Sequence, residues 1–176
     1  MVEDVVNREL LLAVVVGIIL FETDLVFGWL TMISGPVPVI FIMAIIIGII
    51  AGKIGTALLS TLLTWVLGIL IAVLMAPIVF VDYFTTEPSY FTLFVFVFIY
   101  SIRGMYSFTF EGDLIEVIVV GLLYLVVMIV ITPIIYLFSF VFAVAGGVIG
   151  GVLRDSLAKK GTPAVQPTPP VSADIQ

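Results

Sequence analysis

The chain has 176 residues, of which 63% are hydrophobic and only 10% are charged. Soluble domains carry about 25% charged residues, and the mean hydropathy of +1.42 leaves too little polar surface to cover a globule in water. This composition excludes a soluble protein and predicts an integral membrane protein whose main partner is the lipid bilayer.

The chain contains neither cysteine nor histidine. Disulfides, cysteine nucleophiles, iron–sulfur clusters and histidine-ligated haem or zinc are therefore excluded, and we expect no metal and no cofactor. The net charge of −6 argues against a nucleic-acid partner, because phosphate binding needs clustered Lys and Arg side chains.

The first apolar run covers residues 10–21 and lacks the basic flank and cleavage site of a secretory signal, so we expect it to remain on the protein. The preferred interpretation is a helix from about Val5 to Glu22, which leaves Glu22 and Asp24 at the far membrane interface. In the alternative, the helix continues through both acids to Trp29. Ionisable residues inside a membrane are functional candidates, so Glu22 and Asp24 are the candidate residues of a polar pathway or cation site.

Two further helices follow this run. Pro36 and Pro38 are typical of the first turn of a helix, where a missing N–H costs nothing, and this helix is predicted to end near Gly52. Residues 54–81 contain no charge and predict the clearest membrane span, with Pro77 in its last turns.

The segment after this span is ambiguous. Residues 82–88 predict a polar, acidic loop, whereas residues 91–102 are dense in aromatic and β-branched side chains, which suit a strand as well as a helix. Arg103 and Gly104 could close a hairpin with residues 105–113. Because an open strand edge is not viable in lipid, we expect either a short span or a structure held against protein or outside the membrane.

Residues 117–153 form the longest run without a charge. A single straight helix of this length would measure about 55 Å, nearly twice the thickness of a ~30 Å hydrocarbon core. We therefore expect the chain to fold back near Thr132 and Pro133, because the residue before a proline disfavours helical geometry. A strongly kinked and tilted single span is the alternative.

The basic residues constrain the number of crossings, because Lys and Arg concentrate on the cytoplasmic side. Six crossings place all of them inside: Arg8, Lys53, Arg103, Arg154, Lys159 and Lys160. Four crossings also leave both termini inside but put Arg103 outside, and five would put the basic C-terminus outside. The sequence therefore predicts an all-α polytopic protein of the cell membrane, with an even number of transmembrane helices (six, alternatively four) and cytoplasmic N- and C-termini.

Small residues recur at helical spacing in two places. They match neither a dinucleotide fingerprint nor a P-loop, but residues four apart lie on one helix face, and small residues let membrane helices pack closely. We predict two glycine-rich helix-packing faces, formed by Ala44, Gly48 and Gly52 in one helix and by Ala143, Gly146, Gly147, Gly150 and Gly151 in another. The preferred partner of each face is a helix of the same subunit, and a homo-oligomer or another membrane protein is the alternative.

The remaining polar segments predict no further site. Glu111, Asp113 and Glu116 match no calcium loop and suit the solvated start of a helix, where the dipole favours carboxylates. Residues 161–176 are proline-rich and have little to bury. The chain therefore divides into a transmembrane helical domain, 1–160, and a disordered cytoplasmic tail, 161–176.

Three functions are compatible with these features. The preferred hypothesis is a structural or accessory membrane subunit that acts through helix–helix association, because small-residue faces are present and buried charge is scarce. A small transporter or channel is the alternative, with Glu22 or Asp24 near its pathway. A membrane enzyme is disfavoured because histidine, the commonest general base near neutral pH, is absent, and no catalytic residue is predicted.

Overall fold

The structure is a computed structural model that describes residues 2–79, 89–101, 119, 122–123 and 126–161. Helices account for nearly all of these residues and no β-strand occurs among them, so the predicted all-α class is confirmed. In chain order the α-helices are α1 (Val2–Phe27), α2 (Trp29–Ser34), α3 (Val39–Ala51), α4 (Ile54–Val79), α5 (Tyr90–Tyr100) and α6 (Thr132–Gly161). A short π-helical turn, Val127–Ile131, leads directly into α6.

Three stretches of these helices are long and apolar enough to cross a membrane. They are Arg8–Phe27, Ile54–Val79 and Ile129–Lys159, whereas α3 is a shorter apolar helix. Large apolar side chains such as Leu62 and Val148 point outward from them and are exposed. Outward apolar surfaces of this kind suit lipid and not water, which fits the membrane character predicted from composition.

The end of α1 differs from the preferred prediction. The helix continues through Glu22 and Asp24 to Phe27, as in the alternative, so the predicted end near Glu22 is wrong. The break comes at Gly28, whose φ of 66° is left-handed and whose backbone N–H donates to the carbonyl oxygen of Asp24. Glycine adopts this conformation without steric cost, whereas an acidic residue inside a helix does not force the chain out of it.

The ends of α3 and α4 lie within a few residues of the predicted ones. Pro38 occupies the N-cap of α3, and Gly52 ends that helix with a φ of 67° and an N–H bond to the carbonyl oxygen of Gly48. α4 follows at once and contains Pro77 near its C-terminus. Proline before a helix and glycine after it are strong local signals, which explains the agreement.

Helices replace two features predicted for the second half of the chain, a strand and a fold-back. Residues 90–100 are helical, so the strand alternative is wrong for them. The predicted fold-back near Thr132 and Pro133 is also wrong, because the π-helical turn passes into α6 without a break. Pro133 is the second residue of α6, and the wider π-helical turn before it accommodates the missing N–H. The count of six crossings depended on this fold-back.

The helices form two parallel pairs. Gly17 of α1 lies against Thr64 of α4, and one turn further along both helices Phe21 lies against Gly68. α3 and α6 run parallel in the same way and make the most extensive helix contact among the described residues. The core therefore lies between α1, α3, α4 and α6.

Four helix ends meet at one end of the bundle. Arg154 near the C-terminus of α6 pairs with Glu9 near the start of α1 and packs over Gly52 at the end of α3. α4 begins directly beyond this point, after Lys53. We call this the basic end, because it carries the cationic side chains that the structure describes, namely Arg8, Lys53, Arg154 and Lys159.

An aromatic cluster holds α5 against the bundle. Phe21 and Trp65 have ring centroids 5.9 Å apart, and Trp65 meets Tyr136 edge-on at 5.6 Å. Tyr136 stacks on Phe98 of α5 at 5.1 Å. Each such aromatic pair contributes about 0.5–1.5 kcal/mol beyond its buried area, so the cluster links α1, α4, α6 and α5 in series.

Several predictions concern parts of the chain that lie outside the described residues. They are the acidic loop 82–88, the second hairpin strand 105–113 with Arg103 and Gly104, the acidic cluster Glu111, Asp113 and Glu116, and the tail apart from Gly161.

Candidate functional site

The closest helix contact in the described structure is between α3 and α6. A Cβ atom added to Gly48 would lie closer than 3.0 Å to the carbonyl oxygen of Ala143 and to the nitrogen of Gly147. Cβ atoms at Gly146 and Gly150 would come as close to backbone oxygens of α3. The two backbones therefore touch directly, which only glycine permits at this separation.

The other predicted packing residues lie around this contact, which we call the α3–α6 seam. Ala44 and Ala143 are fully buried, and Gly147 also faces Ala57 of α4. Gly151 approaches the carbonyl oxygen of Gly52, and Gly52 lies beneath the Arg154 guanidinium. The structure thus brings the two sets of small residues together within one chain, while their use by a partner stays a prediction.

Arg154 connects three helices at the basic end. Its guanidinium pairs with the Glu9 carboxylate of α1 and donates a hydrogen bond to the Ile50 carbonyl oxygen at the end of α3. This arrangement satisfies one of the carbonyl groups that a helix leaves unpaired at its C-terminus. In the sequence, Arg154 is only a topology signal, because no local pattern reveals that its partners lie in α1 and α3.

Replacing Arg154 with glutamine is expected to lower the free energy of unfolding by about 1 kcal/mol, a modest value because the pair is partly exposed to solvent. Thermal unfolding in detergent micelles, followed by tryptophan emission, measures this change. Lys159→Gln is the control, since Lys159 is exposed at the same end of α6. An equal loss in both variants would contradict a clamping role for Arg154.

Asp24 lies at the opposite end of α1 and is buried. Its carboxylate accepts hydrogen bonds from the Thr31 backbone N–H at 2.9 Å and from the Thr31 hydroxyl at 2.7 Å. Thr31 belongs to the first turn of α2, so the acid caps that helix and holds it against α1. The indole N–H of Trp29 donates to Thr23 beside it, at 3.2 Å.

Glu22 has a different environment from Asp24. Its Oε1 atom is buried and has no hydrogen-bond partner in the described part of the chain. Residues two apart on a helix project in different directions, so Glu22 and Asp24 do not converge on one site. Within the described residues no three acids gather as metal ligands would, and the cation site stays a prediction.

A buried polar network links α4, α5 and α6 near the aromatic cluster. The Trp65 indole N–H donates to the Ser139 hydroxyl at 3.0 Å, and Ser139 donates to the carbonyl oxygen of Tyr136 at 2.6 Å. The hydroxyls of Tyr136 and Ser101 share a hydrogen bond of 2.7 Å. This network was not predicted from the sequence, because the partners lie far apart in the chain and the residue types are common in apolar helices.

Replacing Ser139 with alanine is expected to lower the free energy of unfolding by about 1–2 kcal/mol, because the buried indole N–H of Trp65 loses its acceptor. The Trp65 emission maximum should shift at the same time, and a Trp29→Phe background isolates that signal. Ser156→Ala is the matched control, since the Ser156 hydroxyl bonds only within its own exposed turn. Unchanged emission after Ser139→Ala would contradict the network.

Two threonine hydroxyls on α4 lack partners within the described bundle. Thr61 and Thr64 are fully buried, and neither hydroxyl oxygen has a hydrogen bond to a described residue. Ser60 beside them donates to the Thr56 carbonyl oxygen at 2.6 Å in the usual manner of helical serines. Unpaired hydroxyls in an apolar core carry a free-energy cost that a bound water or ion would relieve.

The described surface offers a groove, but on the outside of the bundle. It encloses about 530 Å³ beside α1 and is lined by Arg8, Glu9, Leu11, Leu12 and Val15. One charged edge and apolar walls suit lipid better than a polar substrate.

Comparison of the chain with protein-family models, with curated protein sequences and with solved structures finds no match.

Proposed function

We propose that the chain is a structural or accessory subunit of a membrane-protein assembly and acts through helix–helix association. The observation that supports this function is the α3–α6 seam. Its backbones meet without intervening side chains, and Arg154 fastens the same helices to α1. Such a bundle is a rigid frame for partners, whereas a transporter needs one part to move against another.

The proposed topology has four crossings, made by α1, α3, α4 and α6. The Glu9–Arg154 pair joins the start of α1 to the end of α6, which supports an even number. α3 is only about 20 Å long, but with α2 it connects the far end of α1 to Gly52 at the basic end, so it passes from one end of the bundle to the other. α5 is shorter still, at about 16 Å. It follows α4 from the end opposite the basic end and reaches Tyr136 through Phe98, as expected of a segment that enters and does not cross.

The proposed orientation puts the basic end and both termini in the cytoplasm, following the distribution of Lys and Arg. Along α1, the rise from Glu9 to Phe27 is about 27 Å, close to the ~30 Å thickness of the hydrocarbon core. Trp29 then lies at the outer interface, where tryptophan is enriched. Glu22, about 20 Å from Glu9, falls inside the hydrocarbon.

Cross-linking in native membranes tests the subunit function. The chain has no cysteine, so single cysteines can be placed on outward positions of α1, α4 and α6 at Ile19, Val66 and Val148, all of which are exposed. Each is coupled to a photoreactive maleimide and illuminated. We expect a discrete adduct larger than the 19.1 kDa chain from at least one helix face. The absence of a discrete adduct from all three faces would contradict the proposal.

The second candidate is a small transporter or channel, favoured by the unpaired hydroxyls of Thr61 and Thr64 inside the bundle. Purified protein in liposomes tests it with proton, sodium and potassium gradients. Flux that is lost in Thr64→Val and in Glu22→Gln would support transport. No flux under any of these gradients would leave the subunit function as the better explanation.

A further inference from the structure

Glu22 differs from the two other acids of α1 whose side chains the structure describes, because each of those has a partner. Glu9 pairs with Arg154, and the Asp24 carboxylate accepts two hydrogen bonds from Thr31. The buried Oε1 atom of Glu22 has no hydrogen-bond partner among the residues that the structure describes. In the proposed topology this carboxylate lies inside the hydrocarbon, where ionisable side chains pair with one another or mark a functional site.

The position of Glu22 on α1 indicates that its partner comes from outside the bundle. Ile19, three residues before it, and Val26, four residues after it, are 55% and 44% exposed. Gly17 and Phe21 occupy the other side of the helix, against α4. Glu22 therefore lies at the edge of an outward surface, which we call the α1 outer face and define as Val15, Ile19, Glu22 and Val26.

The negative charge of Glu22 determines which kind of side chain its partner must present. The cationic side chains that the structure describes lie at the basic end, about 20 Å away along α1. A second copy in the same orientation would therefore bring another Glu22 to this depth and not one of those cations. A bound metal ion would need about six oxygen ligands, and no group of three acids gathers in the described part of the chain.

We infer that the α1 outer face binds a transmembrane helix of a different protein, which places a lysine or arginine against Glu22 in the outer half of the bilayer. This inference rests on the proposed subunit function and names the chemistry of its partner. A basic side chain satisfies the carboxylate, and the apolar residues around Glu22 pack against the rest of the partner helix.

A model peptide tests the inference directly. The probe is a synthetic polyleucine transmembrane helix with one lysine in its outer third and an acceptor dye, reconstituted with the full chain in phosphatidylcholine vesicles. The donor dye is attached to Ser156→Cys, near Arg154 at the basic end. We expect energy transfer to report an association constant about tenfold higher than that of the same peptide with leucine in place of lysine.

Two variants and a second peptide sharpen the comparison. Glu22→Gln should reduce binding of the lysine peptide to the level of the leucine peptide, whereas Asp155→Asn, an exposed acid at the basic end, should leave it unchanged. A peptide with its lysine in the inner third should bind like the leucine peptide. The emission maximum of Trp65 checks that Glu22→Gln remains folded.

Equal binding of the three peptides, or full binding by Glu22→Gln, would overturn the inference. The cross-linking experiment with Ile19, Val66 and Val148 then shows whether the proposed subunit function fails as well, or only this inference about Glu22. Adducts from Val66 or Val148 without peptide discrimination would keep the subunit function and place the partner on α4 or α6. Adducts from Ile19 that disappear in Glu22→Gln would support both proposals.

Discussion

Replacing Gly48 with alanine is expected to lower the free energy of unfolding by about 3 kcal/mol, the upper end of the usual cost of overpacking a core. The added methyl group would meet the backbone oxygen of Ala143 and the backbone nitrogen of Gly147 at less than 3.0 Å, and backbone atoms cannot rotate away as a side chain can. α3 and α6 must therefore separate along the seam. Reversible unfolding in mixed micelles, followed by tryptophan emission, measures the loss.

Gly55→Ala is the matched control for this experiment. Gly55 lies in the first turn of α4, and a Cβ atom there would meet nothing within 4 Å. Its free energy of unfolding should change by less than about 1 kcal/mol, in the stabilising direction, because alanine is the better helix former. Similar effects at Gly48 and Gly55 would contradict a direct backbone contact between α3 and α6.

Replacing Asp24 with alanine is expected to destabilise the outer end of the bundle by about 3 kcal/mol, since hydrogen bonds to a charged group contribute about 1.5–3 kcal/mol each. The Thr31 N–H and hydroxyl lose their acceptors at a partly buried position. Hydrogen exchange of the Thr31 amide should accelerate strongly, because α2 is held to α1 at this point. Mass spectrometry of peptides that contain residues 29–34 measures the exchange.

Conservative and remote substitutions define the role of Asp24. Asp24→Asn keeps an acceptor oxygen and should retain part of the protection at Thr31, whereas Asp155→Ala removes an exposed acid and should leave it unchanged. Unaltered exchange at Thr31 in Asp24→Ala would show that α2 is held by other contacts.

The parts of the fold that were predicted correctly are those where single residues, such as proline and glycine, determine the local backbone. Pro38 and Gly52 bound α3 because their backbone preferences act at the residue itself. The end of α1 was misplaced because Asp24 is stabilised by Thr31, a contact that exists only after the turn at Gly28 has formed. Pro133 gave an ambiguous signal, since proline disfavours the helix before it yet fits a first helical turn.

The candidate sites depended even more on contacts between distant residues. Helical spacing identified the small residues of α3 and α6, but spacing within a helix does not identify the helix it meets. The pairs Arg154–Glu9 and Trp65–Ser139 have no sequence signature, because each joins residues from separate helices. Glu22 and Asp24 were both predicted from their charge. Only the structure distinguishes Glu22 from Asp24, whose carboxylate accepts hydrogen bonds from Thr31.

The sidedness of Ser107 is the most direct test of the four-crossing topology, on which the depth of Glu22 and the cytoplasmic basic end both depend. Ser107→Cys is labelled in intact cells with an impermeant maleimide, using Thr85→Cys as the outside control and Ser156→Cys as the inside control. Four crossings predict that position 107 is labelled from outside, together with position 85. Protection of position 107 until the membrane is opened, as for position 156, would contradict four crossings.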